Sequence, residues 1–309
     1  MRILLWHVHG SWTTAFVQGS HEFFVPTLPS RGPDGRGRAR TYQWPDTVTE
    51  VTPAQATELD LDLVLLQRPF ELEHLAESWT GRRPGVDIPA VYLEHNTPRA
   101  VGDVHPATHS PGVAIVHVTH FNACMWDCGG RPTAVVEHGI VDPGALYTGE
   151  LARAVAVINE PERRGRMAGT DLVQRLRGDV PLDLFGMCSA GAGGLGELEQ
   201  GELHQQMALR RVYLHPYRWT SLGLSLVEAM FLGMPVVGLA TTAATESVPA
   251  AAGVLSCDTE RLARALRMFA GDVDAAQAAG QAARAHAVSH FGVDRFLRDW
   301  DRVLAGVAA

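Results

Sequence analysis

Three arginines grouped around one glycine follow an apolar run, and their chemistry suits a phosphate-bearing ligand. The run Ala154–Ile158 predicts a β-strand, and the basic residues come just beyond its end. An arginine guanidinium donates two parallel hydrogen bonds to a phosphate, and ligands of open parallel sheets bind beyond the carboxyl ends of the strands. We therefore expect a diphosphate to contact Arg163, Arg164 and Arg166. A solvated basic turn is the alternative interpretation.

A second anion site is predicted where a short loop leads into a helix. The loop and the first helical residue are Thr220, Ser221, Leu222, Gly223 and Leu224. The first N–H groups of a helix lack partners inside the helix, and the helix dipole attracts anions. Glu228 lies further along this helix among apolar neighbours. We expect its carboxylate to accept hydrogen bonds from two ribose hydroxyls, whereas a surface glutamate is the alternative.

A glycine-rich segment has the spacing of a dinucleotide-binding fingerprint. Gly191-x-Gly193-x-x-Gly196 follows a predicted strand that ends at Phe185. The fingerprint also needs an acidic residue at the end of the next strand, and that strand ends at His215. The gap after Phe185 is long for a tight strand–helix turn. A flexible loop is therefore favoured, and an NAD-dependent dehydrogenase using Gly191–Gly196 stays an alternative.

Three other groups of residues have the composition of a metal-binding or anion-binding site. Zinc-compatible spacings occur among His117, His120, Cys124 and Cys128, and paired acids occur at Asp60, Asp62, Asp299 and Asp301. Core packing of the first group and the position of the acids away from strand ends argue for no metal site. The segment Arg31–Arg40 has four arginines and three glycines. It is either a solvated loop or an anion-contacting flap that its glycines make mobile.

The basic residues exclude several reaction classes. All 26 are arginine, and the 34 acidic residues give a net charge of −8. Without lysine the chain has no Walker-type phosphate loop, no Schiff-base nucleophile and no kinase strand lysine. The acidic balance also argues against nucleic acid as a partner.

Strands and helices alternate along the chain, which indicates an α/β fold with parallel sheets. At roughly 150 residues per domain, the 309 residues suggest two domains. We expect a Rossmann-like domain over 1–145, a second over 146–285 that faces it across a cleft, and a C-terminal helical segment over 286–309. The N-terminal apolar stretch is too short for a signal peptide, and four cysteines fit reduced thiols. A cytoplasmic protein without a membrane span is expected.

The segment Val212–Ser256 resembles the retaining nucleotide-sugar glycosyltransferases of the GT-B fold, family 4 (glycosyl transferases group 1). Its residues from Leu222 to Val237 read Leu-Gly-Leu-Ser-Leu-Val-Glu-Ala-Met-Phe-Leu-Gly-Met-Pro-Val-Val. The family pattern is Gly-Phe-Gly-x-x-x-x-Glu-Ala-Met-Ala-x-Gly-x-Pro-Val-Val. The resemblance implies that Glu228 binds the donor ribose and that the amides of Leu222–Leu224 hold the donor.

Weaker matches extend this resemblance to other parts of the chain. Arg164 stands where the family has a diphosphate-binding lysine, and His95 ends a strand that in the family carries a histidine at the reacting sugar. Gly10 occupies the place of the family's N-terminal glycine loop. The stretch Phe291–Val303 is similar to the helix that crosses back to the first domain.

The resemblance predicts transfer of a hexose-type sugar from a nucleoside diphosphate donor, with retention and without a metal or a separate cofactor. Arg164 with Arg163 or Arg166 would stabilise the departing diphosphate, and His95 would orient the donor sugar or the acceptor. A small molecule, a glycan or a lipid is the expected acceptor, with peripheral membrane contact as a further option. One departure supports an alternative, a non-catalytic nucleotide-sugar-binding relative. Thr220 replaces the first glutamate of the family's Glu-x7-Glu motif, and Ser221 replaces the glycine after it.

Overall fold

The computed structural model describes residues 1–308 and contains two compact units. The N-terminal unit comprises Met1–Val141 together with the chain from Val293 onward, and the C-terminal unit comprises Asp142–Gly292. Ala309, the last residue of the predicted C-terminal segment, lies outside the described residues.

The N-terminal unit is built on a sheet of seven strands that are all parallel. Their order across the sheet is β3-β2-β1-β4-β5-β6-β7. The strands are β1 (Arg2–Leu5), β2 (Glu22–Pro26), β3 (Val48–Val51), β4 (Leu63–Leu66), β5 (Ala90–Glu94), β6 (Val113–His117) and β7 (Thr133–Val135).

The C-terminal unit contains a second parallel sheet, of five strands in the order β12-β11-β10-β8-β9. These strands are β8 (Leu151–Val157), β9 (Leu182–Phe185), β10 (Arg210–His215), β11 (Val236–Gly238) and β12 (Gly253–Leu255). Each sheet therefore has the open parallel form that the alternating sequence pattern predicts.

Helices connect the strands in both units. They are α1 (Gly10–Phe16), α2 (Pro53–Glu58), α3 (Ala76–Thr80), α4 (His120–Met125), α5 (Pro161–Ala168), α6 (Thr170–Leu176), α7 (Gln200–Leu209), α8 (Leu224–Leu232), α9 (Ala244–Ser247), α10 (Thr259–Gly271), α11 (Val273–His290) and α12 (Val293–Ala308). A π-helical turn at Glu71–Leu75 precedes α3, and short 3-10 turns occur at Pro106–His109, Ser189–Ala192 and Ala250–Ala252. Over residues 1–308, no helix combines the length and apolar character needed to cross a bilayer.

The central strands are short apolar runs because helices cover both faces of a parallel sheet. All four residues of β4 are buried, as are all five of β5. Helix α2 begins at a reciprocal cap in which Thr52 and Gln55 satisfy each other's backbone N–H groups, an arrangement that stabilises helix starts.

The last helix, α12, packs within the N-terminal unit through aromatic rings. The centroid of Trp300 lies 5.6 Å from that of Trp12 and 5.1 Å from that of Phe16. Phe296 lies 6.0 Å from Trp12. These fully buried rings attach the end of the chain to helix α1, since aromatic pairs at such distances add to the free energy of burial.

Candidate functional site

The three predicted phosphate-binding arginines lie on a helix, so the predicted turn at this position was wrong. Helix α5 begins at Pro161, directly after Glu160 in a left-handed conformation (φ 52°, ψ 53°). It is kinked at Gly165, with φ 45° and ψ −123°. Because this backbone conformation strains residues with a Cβ, the kink accounts for the glycine among the arginines.

Two of these arginines are already paired with carboxylates. Arg163 donates to both carboxylate oxygens of Glu160, with Nε 2.9 Å from Oε1. Nη1 of Arg166 lies 3.0 Å from Oδ2 of Asp171, which also binds the guanidinium of Arg218 through both oxygens. Glu160 therefore balances the charge of Arg163, whereas Arg166 shares the single charge of Asp171 with Arg218.

Arg164 differs because its guanidinium lies over an aromatic ring. Its Cζ is 5.2 Å from the centroid of Tyr217, within the range of a cation–π contact. The Tyr217 hydroxyl donates to the carbonyl of Val157 at 3.0 Å, which fixes the ring at the end of β8. Burial raises the pKa of Tyr217, so the phenol stays neutral. Within residues 1–308, Arg164 forms no ion pair with a carboxylate.

Helix α8 begins next to the same tyrosine. Its N-cap residue is Gly223, which has no side chain to accept a hydrogen bond from the first N–H groups. A Cβ at Gly223 would lie 3.7 Å from Cε2 of Tyr217 and 3.0 Å from Cε1 of His215. The structure thus brings Arg164 and the start of α8 together around the Tyr217 ring. These are two features that the sequence predicted separately.

His215 is the most enclosed polar group beside this helix start. It is fully buried, and neither ring nitrogen has a hydrogen-bond partner within the described residues. Burial lowers the pKa of His215 to about 3, so the ring is neutral at physiological pH. Its position at the end of β10 was visible in the sequence, but its contact with Gly223 was not.

Glu228 is buried, not a surface glutamate. Its exposed fraction is 4%, and its Oε2 lies 3.6 Å from Nε2 of His204 on helix α7. His204 in turn lies 2.8 Å from the amide nitrogen of Gln200. A charged carboxylate is rarely buried without polar partners. Its role in binding ribose stays a prediction.

The loop before α8 is enclosed at its second and third positions. Ser221 and Leu222 are 2% and 7% exposed, whereas Thr220 is half-buried. The carbonyl of Ser221 accepts a hydrogen bond from the backbone N–H of Ala243 at 3.3 Å, which ties the loop to the segment before α9. A hydroxyl therefore occupies the half-buried position to which the family pattern assigns a carboxylate.

His95 lies at the end of β5 in the N-terminal unit, with its hydrogen bonding fixed by an amide. Nε2 of His95 is 3.0 Å from Oε1 of Gln67, and Nε2 of Gln67 donates to the carbonyl of Trp6 at 2.8 Å. Because that carbonyl can only accept, the amide orients its oxygen toward His95, which must donate from Nε2. The lone pair of His95 is therefore on Nδ1.

Two further histidines surround His95. The His9 ring centroid lies 3.9 Å from that of His95, and the His138 centroid lies 6.3 Å away. Burial lowers the pKa of His9 to about 4 and that of His138 to about 3, and it places the pKa of His95 well below its usual range. The cluster is consequently neutral at physiological pH. Gly10 follows His9 and begins helix α1.

The arginine-rich segment from residue 31 to residue 40 forms several hydrogen bonds within the N-terminal unit, and its two interpretations, a solvated loop or an anion-contacting flap, stay predictions. Nη2 of Arg31 lies 3.0 Å from Oε2 of Glu50, and the backbone N–H of Arg38 donates to Oε1 of the same side chain at 2.9 Å. The guanidinium of Arg38 donates to the carbonyl of Trp44 at 2.8 Å.

The glycine-rich segment 191–196 does not form a tight strand–helix turn. Its first two residues lie in a 3-10 turn at Ser189–Ala192, and α7 begins only at Gln200. A Cβ at Gly191 would lie 2.6 Å from a carboxylate oxygen of Glu162, and the carbonyl of Gly193 accepts from Arg177 at 2.9 Å. The Glu162 carboxylate beside Gly191 disfavours the close approach of a pyrophosphate.

The four residues with zinc-compatible spacing do not come together in one site. Of the paired aspartates, Asp62 already accepts a hydrogen bond within the protein. Sγ of Cys128 lies 3.7 Å from Nε2 of His117, whereas His120 and Cys124 are both exposed. Asp62 accepts from the backbone N–H of Arg2. Among residues 1–308, no group of three or more His, Cys, Asp or Glu side chains has the geometry to hold a metal ion.

Sequence and structure comparisons identify the class of protein. Residues 191–272 match the sequence profile of the family described as glycosyl transferases group 1. A search of curated proteins gives no match. The matched segment includes the start of α8 and Glu228, and it covers most of the C-terminal unit from the glycine-rich segment onward.

Solved structures with the same fold are similar over most or nearly all of the chain. Anabaena HepE in complex with UDP is 15% identical, with 99% of each chain covered and a TM-score of 0.69. Sucrose-phosphate synthase from Thermosynechococcus elongatus is 12% identical, with a TM-score of 0.70, 99% of this chain and 98% of that chain covered. S. aureus TarM, in complex with fondaparinux, alpha-GlcNAc-glycerol and UDP, is 10% identical at a TM-score of 0.63. The match covers 78% of this chain and 55% of the TarM chain.

The fold is therefore GT-B, with its two parallel-sheet units. Together with the matched segment, it defines the protein as a glycosyltransferase of the GT-B class.

Proposed function

We propose that this protein transfers a hexose-type sugar from a nucleoside diphosphate donor to an acceptor, with retention of configuration and without a metal ion. The observation that carries the proposal is the position of Arg164, half-buried over Tyr217 beside the uncapped start of α8. Complexes of HepE with UDP and with UDP-glucose support a uridine donor. In this proposal the C-terminal unit binds the donor and the N-terminal unit binds the acceptor.

The proposed chemistry depends on stabilising the departing diphosphate. As the bond to the sugar breaks, negative charge develops on the phosphate oxygens. Arg164 supplies a fixed positive charge, and the first N–H groups of α8 supply donors with a favourable helix dipole. Preorganised groups of this kind lower the barrier most where charge develops in the transition state.

Retention would follow from substitution on the front face of the sugar. A double displacement needs two carboxyl groups about 5 Å apart at the reacting carbon, and the sequence identifies no such pair. In the proposed reaction the leaving phosphate takes the proton of the acceptor hydroxyl as the new glycosidic bond forms. His95, neutral and with its lone pair on Nδ1, would orient the donor sugar or the acceptor by hydrogen bonding.

In this proposal the protein acts in the cytoplasm. Its acceptor is a small molecule, a glycan or a lipid. All four cysteines are free thiols, which is the usual state of cysteines in cytosolic proteins. TarM in complex with alpha-GlcNAc-glycerol is a relative whose structure contains a glycosylated small alcohol, which is compatible with an acceptor of this class.

Substitution of Arg164 tests the proposal directly. Arg164→Ala should lower UDP affinity and sugar transfer from UDP-glucose by at least about tenfold, because a charge-assisted hydrogen bond contributes about 1.5–3 kcal/mol. Arg163→Ala should have the smallest effect, because Glu160 balances its charge, and Arg166→Ala an intermediate one, because Arg166 shares Asp171 with Arg218. Arg175→Ala, which removes an exposed arginine paired with Glu260, is the control. Full activity of Arg164→Ala would contradict the site assignment.

A second candidate function is nucleotide-sugar binding without catalysis, which the hydroxyl at Thr220 favours. Binding titrations with UDP, GDP, NAD and UDP-glucose, followed by measurement of UDP release, separate the candidates. A transferase binds UDP-glucose and releases UDP with an acceptor or water, whereas the non-catalytic relative binds it unchanged. Selective binding of NAD would instead support the dehydrogenase alternative. Undiminished turnover in EDTA is expected if no metal takes part.

A further inference from the structure

The loop that carries Arg36 is held against the ends of strands β1 and β2. Nε1 of Trp6 donates to the carbonyl of Asp34 at 3.1 Å, and Nδ1 of His7 donates to the carbonyl of Gly37 at 3.0 Å. The backbone N–H of Gly37 donates to the carbonyl of Pro26 at 3.0 Å. Arg36 is therefore presented by a fixed backbone at the carboxyl edge of the N-terminal sheet.

On this loop Arg31 and Asp34 have partners of opposite charge, whereas Arg36 has none among the described residues. Glu50 pairs with Arg31 and accepts from the backbone of Arg38. Asp34 pairs with Nη1 of Arg68 at 3.0 Å. The side chain of Arg36 is exposed, and no carboxylate among residues 1–308 pairs with it.

Gly37, the residue after Arg36, accepts a hydrogen bond from the imidazole of His7, which burial keeps neutral. The positive charge of Arg36 contributes to the low pKa of both His7 and His9, after burial as the main cause. The His9 ring lies 3.9 Å from that of His95. A cation in this place adds charge to a cluster that otherwise offers only neutral hydrogen-bonding groups, and a guanidinium in a fixed position suits a carboxylate or phosphate.

We propose that Arg36 binds an anionic group of the acceptor, a carboxylate or a phosphate, and so selects acidic acceptors over neutral ones. That the bound anion belongs to an acceptor rests on the proposed function, but the anion site itself depends only on residues of the N-terminal unit. Arg36 is here a specificity-determining residue, and it has no part in stabilising the donor diphosphate.

Titration calorimetry on the full chain saturated with UDP tests this site, because UDP fills the donor site and leaves Arg36 free. The probes are inorganic phosphate, glucuronate and, as a neutral match of glucuronate, glucose. The variants are Arg36→Gln, which removes the charge, and Arg36→Lys, which keeps it. Arg40→Gln, an exposed arginine of the same segment, is the matched control.

Wild type should bind phosphate or glucuronate at least about tenfold more tightly than glucose, and Arg36→Gln should remove that difference. Arg36→Lys should retain part of it, and Arg40→Gln all of it. The relative affinities of phosphate and glucuronate identify the anion. Equal anion affinity in wild type and Arg36→Gln, or no preference over glucose in wild type, would overturn the proposal. Failure of UDP to bind would count against the proposed function alone, because anion binding to wild type and to Arg36→Gln can still be compared without UDP.

Discussion

Oε2 of Glu228 lies 3.6 Å from Nε2 of His204, and the two residues are 4% and 8% exposed. They join helix α8, which begins beside Arg164, to helix α7. Because this separation is longer than a hydrogen bond and Nε2 of His204 already lies 2.8 Å from the amide nitrogen of Gln200, His204 acts on the carboxylate through packing. If Glu228 binds ribose hydroxyls, His204 is a positioning residue for it.

His204→Ala should lower UDP affinity about tenfold, with most of the loss specific to the ribose hydroxyls. The measurement is a binding titration with UDP and with 2′,3′-dideoxy-UDP on wild type, His204→Ala and Glu228→Ala. Wild type should discriminate between the two nucleotides, and both variants should discriminate less. The control is Gln205→Ala, an exposed position on the same helix. An equal loss for both nucleotides would show that His204 acts only on the fold.

Gly223→Ala should impair donor binding through a steric contact with His215. The added Cβ would lie 3.0 Å from Cε1 of the buried ring, so either the ring or the start of α8 must shift. We expect UDP affinity to fall about tenfold, a loss of about 1.4 kcal/mol. His215→Ala should relieve the contact, so the double variant should lose less than the sum of the two single variants.

The matched control for this cycle is Gly201→Ala. Gly201 lies in helix α7, and a Cβ there meets no atom within 4 Å. Alanine is the better helix former, so folding should be unchanged or slightly improved. Strict additivity of Gly223→Ala and His215→Ala would show that the ring does not limit the space at the helix start.

The apolar strands were predictable because helices cover both faces of a parallel sheet. The strands predicted to end at Phe185 and at His215 end at those residues in the structure. Strands β2 and β3 were not predicted. Glu22 and Pro26 stand at the ends of one, and the other is a four-residue edge strand with two polar positions. Their pairing depends on neighbours far away in the sequence.

The grouping of the three arginines was predictable from the sequence, but the different partners of each arginine were not. Sequence spacing shows three arginines near a strand end, yet it does not show which have acidic partners. That depends on the left-handed backbone at Glu160 and on the position of Asp171 beside Arg166. The ring under Arg164 comes from Tyr217, 53 residues later by subtraction of the two numbers. Only tertiary packing brings these groups together.

Gly139→Ala should destabilise the N-terminal unit by weakening the packing of helix α12. A Cβ at Gly139 would lie 2.2 Å from Cβ of Phe296, and both residues are buried. Overpacking of this kind typically costs about 1–3 kcal/mol. Urea unfolding of wild type and variant measures the difference. Gly102→Ala is the control, because a Cβ there meets no atom within 4 Å; equal loss in both variants would contradict a specific contact with Phe296.

Stability should decrease as the pH falls below about 6.5, because burial keeps several histidines neutral in the folded chain. The pKa of His117 is lowered to about 4 and that of His215 to about 3, both mainly by burial. In the unfolded chain a histidine has a pKa of about 6.5. Between that value and the lowered one, the unfolded state binds a proton that the folded state does not. Each such histidine then costs about 1.4 kcal/mol per pH unit.

Urea unfolding from pH 4.5 to pH 8.5, on wild type and His215→Leu, measures this dependence. The variant should be less pH-dependent below pH 6.5 by about 1.4 kcal/mol per pH unit, because it removes one proton-binding group from the unfolded state. Above pH 6.5 the two proteins should respond to pH alike, which provides an internal control for changes unrelated to the imidazole. Parallel curves over the whole range would show that His215 does not contribute to the acid sensitivity.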